Sequence, residues 1–549
     1  MKLIKLKIKD NFRGLKDDFE INFHDYNNGN LAEFHPFCLA GQNGSGKSNI
    51  LEALANIFYH LECCTSNFPK YAFLRHESTP DVYEIEYLIS NVNSVIIDDL
   101  SHIKISKNQG FAPKMSINSA ESIEVTKDYG KSFLPDLVVA YSSGENETLS
   151  LPFIKTKLFQ YDQYLQDFVK NSIYDKPKSS LLFIDYEMSQ AVLLTILLFF
   201  DFEIDGKKSV LFPLDEELGI KGIQQFTINL NNKWQKTVSN YEGELEMETV
   251  NDEYYLNDKE KKNYKGRILD HISEQLKKIE DCATCTFKNE DFTSLDFWIN
   301  DCTKKLIRQK FKNNPYDFFS IFQMLHALNE RVEKNSEKVE VYNSKGYYTD
   351  YKKPEYNWFF NFSNYFIKQY DMKTEKIKSL LLKQLSDGEQ QFLHTLGICL
   401  MLKNKRTLLL LDEPETHFNP NWRSKFIYIL RKTLEAGGEN FLSKDIIITS
   451  HSPFIISDCL PDKVIIFEKG KKPENAKFNT FGTSIDIITE EIFKNTQTIG
   501  DYSKSKLQNI EFSNIKSEID VLNAKKSIST LGDSLEKDLT LLRLNKLKF

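Results

Sequence analysis

A run of small and polar residues near the N-terminus has the spacing of a loop that binds phosphate. Three glycines are interspersed with residues that can donate hydrogen bonds, and a lysine and a serine close the run. Glycines let backbone N–H groups wrap an anion, the lysine reaches the outer phosphates, and the serine hydroxyl can bind Mg²⁺. The run therefore predicts a site for ATP and Mg²⁺, made by Gly41, Gln42, Asn43, Gly44, Ser45, Gly46, Lys47, Ser48 and Asn49.

Two adjacent acids stand at the end of a strongly apolar segment. Asp412 and Glu413 come directly after four consecutive leucines, the pattern of a central strand in a parallel sheet. Ligands bind at the carboxyl ends of such strands, so we expect Asp412 to support Mg²⁺ and Glu413 to activate the attacking water as a general base. The plainer alternative is a strand that ends in two solvated acids.

Two further motifs flank these acids in the sequence. Leu385, Ser386, Gly388 and Glu389 precede an apolar helical run, and Ser386 is well placed to cap that helix. His451 follows a strand rich in isoleucine. Taken alone, the first motif is an ordinary capped helix and the second is an isolated histidine. Four motifs in this order, each at the end of a strand or the start of a helix, indicate a single nucleotide site.

The elements that must position these residues fall into four segments. Residues 1–150 pattern as strands around the phosphate loop, which lies between a buried strand and an amphipathic helix. Residues 376–495 alternate apolar strands with helices, whereas residues 151–375 show mostly helical periodicity. We therefore predict an α/β fold in which 1–150 and 376–495 build one mixed sheet with flanking helices, around a mostly helical insert at 151–375 and before a helical tail at 496–549.

The composition excludes several classes of protein. The 71 Lys and Arg residues against 78 Asp and Glu give a net charge of −7, so no global basic field draws the chain onto nucleic acid. The nearly continuous apolar segment 191–200 is much shorter than a membrane span of about 20 residues. The alternating N-terminus lacks a signal-peptide core, and the eight cysteines are scattered. These features predict a cytoplasmic protein with reduced thiols and no membrane partner.

The four motifs together resemble those of ABC-type ATPases, and the long spacing between Ser48 and Leu385 is similar to the branch that contains SMC, RecF and RecN. The resemblance implies an ATPase head, interrupted by an insert, that hydrolyses ATP to ADP and phosphate. In this family the signature motif, here Leu385 to Glu389, presses onto the γ-phosphate held by a second subunit. The resemblance thus implies a homodimer or higher oligomer, assigns His451 as the switch residue and places Arg13 near the nucleotide.

Two shorter segments, residues 137–147 and 480–484, resemble the restriction-associated ATPases that include PtuA, found in Septu and retron-linked antiviral systems. This resemblance implies a switch subunit of an antiviral defence complex, in which ATP-dependent dimer closure controls a partner nuclease of the HNH type, similar to PtuB. In retron-linked systems a reverse transcriptase and its RNA–DNA product are further partners. The alternative is an ATPase of the RecF or RecN kind that acts directly on DNA.

Three features of the sequence are open to more than one interpretation. ABC proteins place a Mg²⁺-contacting glutamine after the strand that precedes the insert, but residues 142–145 read Ser-Ser-Gly-Glu, which leaves its replacement undetermined. Cys282 and Cys285 have the spacing of half a zinc site, although the helical segments around them are short for one. Aromatic residues and lysines at 342–358 fit either a surface for single-stranded nucleic acid or a hairpin.

Overall fold

The structure is a computed structural model that describes most of the chain. The described residues are 1–15, 18–25, 29–66, 73–90, 100–144, 146–169, 179–204, 207–209, 211–232, 273–330, 335–344, 358–371, 373–401, 405–436, 441–495, 499–510, 512 and 515–547. The aromatic segment at 342–358 therefore lies largely outside them. The chain forms two compact units, Met1–Gly482 and Thr483–Phe549.

A seven-stranded sheet lies at the centre of the first unit. Its strands are β3 (Phe37–Gly41), β8 (Leu137–Ser142), β9 (Leu181–Phe183), β17 (Thr407–Asp412), β18 (Lys444–Ser450), β19 (Val464–Phe467) and β20 (Glu474–Asn475), in the order β20-β19-β3-β18-β17-β8-β9. All pairs are parallel except β19 with β20. Every residue of β3, β17 and β18 is buried, as expected for a parallel sheet covered on both faces.

Helices cover this sheet and the insert. In the described part of the first unit they are α1 (Lys47–Thr65), α2 (Glu147–Val169), α3 (Tyr186–Phe199), α4 (Phe212–Leu218), α5 (Ser273–Glu280), α6 (Asp301–Lys310), α7 (Pro315–Leu328), α8 (Asn335–Asn343), α9 (Asp387–Met401), α10 (Pro420–Ala436) and α11 (Pro453–Ser457). Helix α1 packs on α2, and α9 packs on both α3 and α10. The helix after the phosphate loop is thus anchored along its length by apolar contacts.

A six-stranded antiparallel sheet packs against the other side of α1. It contains β1 (Lys2–Ile8), β2 (Phe19–Asn22), β4 (Tyr83–Ser90), β5 (Leu100–Lys107), β6 (Lys114–Ile117) and β7 (Ile123–Glu124), in the order β2-β1-β4-β5-β6-β7. Ile85 and Tyr87 of β4 and Ile105 of β5 share one buried cluster with Leu54 and Phe58 of α1. Burial of these side chains fixes α1, and with it the phosphate loop, between two sheets.

The insert contains a third sheet that the sequence analysis did not predict. Its strands are β12 (Ile220–Asn231), β13 (Cys285–Lys288), β14 (Phe292–Trp298), β15 (Phe360–Asp371) and β16 (Lys376–Leu381), all antiparallel in the order β13-β14-β12-β15-β16. A short pair, β10 (Glu203–Ile204) and β11 (Lys207–Lys208), stands apart. The prediction of a mostly helical insert was therefore incomplete. The central strand β12 pairs with β15 across more than a hundred residues, and bulges interrupt its alternation, so no local pattern announces it.

The second unit is helical in its described residues. It contains α12 (Ile485–Phe493), α13 (Asp501–Gln508), α14 (Glu518–Ile528) and α15 (Leu535–Lys546), with Leu507, Ile528 and Leu544 in its core. The predicted segment boundaries at 150, 375 and 495 stay predictions. The predicted α/β class is confirmed, with the sheets and flanking helices of a P-loop ATPase head. No helix among the described residues combines the length and hydrophobicity that a membrane crossing requires.

Candidate functional site

The phosphate loop joins β3 to α1 in the conformation that its glycines allow. Gly41 has φ 145°, and a Cβ atom there would lie 2.1 Å from the carbonyl oxygen of Phe467, so a side chain cannot be accommodated. Gly46 caps α1 with φ 99°. Gln42, Asn43 and Gly44 are exposed at the tip of the loop. The two glycines thus let the chain leave the buried strand and open its N–H groups to a ligand at the start of α1.

Lys47 lies at the centre of the site. Its Nζ donates to the carbonyl oxygens of Gly41 and Gln42 at 3.0 and 3.1 Å, and it lies 2.9 Å from Nε2 of His451. Burial lowers the pKa of Lys47, while the carboxylates of Glu413 and Asp412 oppose that shift. The lysine is therefore held at the mouth of the loop by groups from three separate segments of the chain.

Asp412 connects four strands and loops at the carboxyl edge of the sheet. Oδ1 accepts hydrogen bonds from Ser48 Oγ at 2.8 Å and from Thr449 Oγ1 at 2.7 Å. Oδ2 accepts from Asn146 Nδ2 at 2.7 Å and from Ser142 Oγ at 3.4 Å. A hydroxyl and a carboxylate oxygen this close are the hard oxygen donors that Mg²⁺ takes in nucleotide sites, so Ser48 and Asp412 fit the predicted ion.

Glu413 leaves the sheet with a positive φ of 47°. Its N–H donates to Thr449 Oγ1 at 3.0 Å, which holds the strained residue in place. Its Oε1 lies 3.3 Å from His451 Nε2. The hydrogen bond from His451 holds the pKa of Glu413 below its usual value, although burial opposes this. The carboxylate is ionised near neutral pH, as a general base must be.

Arg13, which the family resemblance places near the nucleotide, lies against the first turns of α1. Its Nε and Nη2 bond to Oε1 of Glu52 at 2.8 and 2.7 Å. Its carbonyl oxygen accepts a hydrogen bond from Asn49 Nδ2 at 2.9 Å. Burial raises the pKa of Glu52, and the guanidinium of Arg13 counteracts that rise. Arg13 and Asn49 thus brace the start of α1 in this structure.

The signature motif forms a capping box at the start of α9. Ser386 N–H and Oγ donate to Oε2 of Glu389 at 2.8 and 2.9 Å, and Glu389 N–H donates back to Ser386 Oγ. Leu385 is buried, Ser386 is exposed and Glu389 is half-buried. At Gly388 a Cβ atom would lie 2.7 Å from the carbonyl oxygen of His417, so only glycine lets the helix approach that loop. The motif bonds within itself and faces solvent.

The loop after Glu413, residues 415–420, is the segment that the sequence resemblance to ABC-type ATPases predicts to lie at the dimer contact. Glu415 is buried and accepts a hydrogen bond from Ser450 Oγ, the residue before His451, while its Oε2 has no partner among the described residues. Burial raises the pKa of Glu415 to about 7. His417 N–H donates to Gln391 Oε1 of α9 at 3.2 Å. This loop therefore joins the strand of His451 to the signature helix.

Asn146, which no motif indicates, lies next to Asp412 and follows the strand after which a Mg²⁺-contacting glutamine was expected. The strand before the insert, β8, ends at Ser142 beside Asp412, and Asn146 follows at the start of α2. Asn146 and Ser142 both donate to Asp412. They line a cavity of about 610 Å³ together with His417 and Gln391. The fourth residue of the Ser-Ser-Gly-Glu run, Glu145, lies outside the described residues.

The two cysteines of the insert differ in environment. Cys282 is buried, donates to the carbonyl oxygen of Lys278 at 3.2 Å and has its pKa raised by burial to about 11. Cys285 is exposed at the start of β13. In the part of the chain that the structure describes, no three or more His, Cys, Asp or Glu side chains are grouped to hold a metal ion.

The fold and the site together define a class. The phosphate loop, its lysine and serine, two carboxylates at the end of a central parallel strand and a histidine at the end of the next strand meet at one edge of a sheet. A buried strand that feeds a glycine loop and a helix, beside a strand that ends in acids, is the arrangement of a P-loop ATPase domain.

Comparisons with known proteins agree with this class. The family model described as "AAA domain, putative AbiEii toxin, Type IV TA system" matches residues 221–457, which include the signature, both carboxylates and His451. Protein ea59 of Escherichia phage lambda is 28% identical over 122 residues, which make up 22% of this chain and 22% of that protein. The chain thus spans less than a quarter of that relative's length.

Two solved structures are similar at a coarse level. One is the Smc head domain with an extended coiled coil bound to the C-terminal domain of ScpA from Pyrococcus furiosus, with a TM-score of 0.30 and 13% identity over 86% of this chain and 96% of that chain. The other is the Smc head domain with a coiled coil and joint from Pyrococcus yayanosii, with a TM-score of 0.30, 11% identity and the same coverage. The backbones differ substantially at such scores.

Proposed function

We propose that this chain binds ATP with Mg²⁺ and hydrolyses it to ADP and phosphate at the site around Lys47, and that it does so as a switch. One observation carries the proposal. Lys47, Ser48, Asp412, Glu413 and His451 come from segments up to about 400 residues apart in sequence and yet form one connected set of contacts. Each of these side chains has a role in phosphoryl transfer to water.

The roles follow from charge and position. Lys47 and the N–H groups at the start of α1 neutralise and orient the outer phosphates. Bound Mg²⁺ would supply charge neutralisation at the phosphates, with Ser48 and Asp412 as its protein ligands. Glu413, ionised and fixed by its backbone bond to Thr449, takes a proton from the attacking water. His451 lies between Glu413 and Lys47, which lets it respond to the γ-phosphate.

The site is completed, in this proposal, by a second copy of the chain. Ser386 is exposed at the N-terminus of α9, where helix N–H groups and the positive end of the dipole favour an anion. No hydrogen bond or ion pair in the described residues joins Ser386 or Glu389 to Lys47, Ser48 or Asp412. Docking of two copies head to tail would bring each signature onto the nucleotide of the other and yield a homodimer or a larger assembly.

The same proposal extends to the biological role. The sequence resemblance to PtuA and the family description of a putative toxin both support a subunit of an antiviral defence complex, which controls a damaging activity through ATP-dependent closure. A nuclease of the HNH type is the proposed partner, and a reverse transcriptase with its RNA–DNA product is a further one. The scattered cysteines, all free, support action in the cytoplasm.

The test compares two variants of the intact chain by light scattering and phosphate release. Glu413→Gln should bind ATP and Mg²⁺, lose hydrolysis and shift to a larger mass only when both are present, because a site that cannot turn over stays closed. Lys47→Ala should lose hydrolysis and show no mass shift. If the wild type releases no phosphate and its solution mass is the same with and without ATP, the switch proposal is wrong.

A further inference from the structure

The five-stranded sheet of the insert has one buried face and one open face. On the buried face Phe226 and Phe297 stack with their ring centroids 4.4 Å apart, and helices α3 and α7 pack on β12 and β15. On the other face the next residue along β14, Trp298, is 54% exposed, and Ile377 of β16 is 61% exposed. In the described part of the chain no ring stacks on Trp298 and no cation lies over it.

A cavity of about 410 Å³ lies at Trp298. Its volume falls within the roughly 300–1,000 Å³ of ordinary ligand pockets. The cavity is lined by Gln224, Trp298, Ile299, Asn300, Lys368, Ile377, Lys378 and Ser379. The lining therefore combines one large ring, the ammonium group of Lys368 and several amide or hydroxyl groups, and it includes no carboxylate.

The charges around the cavity favour an anion. Lys368 has no carboxylate partner among the described residues, so its ammonium group is available to a ligand. Lys378 makes only a long contact of 3.7 Å with Asp371 at the surface, an ion pair of little energetic weight. The nearest acid on β14, Asp296, accepts a hydrogen bond from Thr227. Lys368 thus faces the cavity, whereas the register of β16 places Lys378 opposite Gln369, on the other face of the sheet.

Polar side chains continue from the cavity along the same face. Asn229 of β12 donates to Asn361 and Ser363 of β15 at 3.0 and 2.8 Å and accepts from Ser294 of β14 at 3.0 Å. Beyond them Phe292 is again exposed and lies against the ring of Phe287 at 5.6 Å. Phe292 and Trp298 are about 20 Å apart along the strand. Aromatic surfaces therefore stand at both ends of a track of hydrogen-bonding groups.

We propose that this open face, from Phe292 to Trp298 and Lys368, binds single-stranded nucleic acid, with a base stacked on Trp298 and the backbone phosphates near Lys368. Exposed aromatic rings beside cations on an antiparallel sheet bind single strands because every base offers a π-face and every linkage a charge. A duplex has its bases already stacked on one another and fits the ring poorly. The inference goes beyond the proposed ATPase function and concerns different residues.

The first experiment measures anisotropy of a labelled oligo(dT) of about 20 nucleotides, longer than one ordinary site. The wild type should bind it more tightly than the matched duplex. Trp298→Ala should weaken binding about tenfold or more, the order of one lost base stack, whereas Trp298→Phe should stay within about threefold. Lys368→Gln should lower the salt dependence by about 0.7 in the logarithmic slope, the value for one phosphate contact on a single strand.

The matched control is Phe111→Ala, which removes an equally exposed ring from the turn between β5 and β6 of the other antiparallel sheet and should leave binding unchanged. ATP hydrolysis should be unchanged in all four variants, which separates this test from that of the nucleotide site. The proposal is overturned if the wild type binds no single strand, or if Trp298→Ala and Lys368→Gln bind as the wild type does. If the wild type binds no oligonucleotide but binds a partner protein that Trp298→Ala does not bind, this face is a protein-binding surface instead.

Discussion

The two halves of the proposed nucleotide site differ in how far one chain completes them. At the carboxyl edge of the parallel sheet, Lys47, Ser48, Asp412, Glu413 and His451 are bonded to one another or through shared neighbours. The signature motif is equally well formed, but its bonds stay inside its own capping box. The first half is preorganised around a ligand, whereas the second is preorganised and faces outward.

The two halves are connected by the loop after Glu413, so this loop is the segment to test. The segment after Glu413 contacts the strand of His451 through Glu415 and the signature helix through His417. Gly388 lets that helix approach the loop closely. A change at the γ-phosphate that moves His451 or Glu413 would therefore be felt at α9 through packed backbone, not through solvent. The predictions below separate the two halves and then probe their connection.

The largest effect should come from two variants, each of which has lost a different half of the nucleotide site, measured separately and mixed. Lys47→Ala and Ser386→Arg should each lower ATP hydrolysis about a hundredfold, the order for loss of one charge-stabilising group or blockage of the anion position. With random pairing, an equal mixture should recover about a quarter of wild-type turnover, because half of the dimers are then mixed and each mixed dimer has one intact site. Phosphate release from the separate and mixed proteins measures this.

The matched control mixes Lys47→Ala with Glu413→Gln. Both changes lie in the same half, so a mixed dimer contains no site with both residues intact and no activity should return. If the first mixture also fails to recover while both proteins still associate, then each chain forms its site alone and the contrast between the halves has no functional meaning.

A second test concerns the buried acid that joins the halves. Burial raises the pKa of Glu415 to about 7, so the folded protein keeps a proton on this group that the unfolded chain releases at a lower pH. The stabilising effect of that proton is complete below the unfolded pKa and disappears as pH rises through about 7. The free energy of unfolding should therefore fall between about pH 5 and 8 by roughly 2–3 kcal/mol more in the wild type than in Glu415→Gln.

Urea unfolding at the two ends of that range measures the difference. Glu62 offers a control, because burial also raises its pKa to about 7. Glu62 lies at the far end of α1 from the phosphate loop and accepts its hydrogen bonds from Ser180. Glu62→Gln should remove a similar pH dependence and leave hydrolysis unchanged, whereas Glu415→Gln should also change hydrolysis above about pH 7, where the wild-type carboxyl is ionised and the amide no longer mimics it. Equal hydrolysis in both variants would contradict a connecting role for Glu415.

The sequence predicted those parts of the site whose residues stand together in the chain. The phosphate loop, the acids after four leucines and the capping box are short strings whose chemistry depends on local spacing. Thr449 and Asn146 were missed as partners of Asp412 because their roles depend on strand order: β17 lies between β18 and β8, so residues from both neighbours reach Asp412. No pattern within a single segment of the sequence reveals which strands lie next to each other in the sheet.

The same reason explains the missed sheet of the insert. Strand β14 alternates buried and exposed residues along Phe292–Trp298, a signal that could have been found. Strand β12 shows no such regularity, because bulges shift its pairing with β15 at three places. The helices that pack on the sheet, α3 and α7, are long and strongly apolar, which explains why helical periodicity dominates the sequence pattern of the insert.

The smallest expected effect concerns the half of the site that contains Asp412. Asn146→Ala removes the 2.7 Å hydrogen bond to Asp412 Oδ2 and frees the carboxylate to rotate, which moves Oδ1 away from Ser48. Hydrolysis should fall about tenfold or less, the order of one charge-assisted hydrogen bond, and the Mg²⁺ concentration for half-maximal activity should rise. Ser142→Ala is the matched control, because its contact with the same oxygen is 3.4 Å long and its loss should cost less. If the Mg²⁺ requirement of Asn146→Ala matches that of the wild type, Asn146 braces the end of β8 and does not stand in for the missing glutamine.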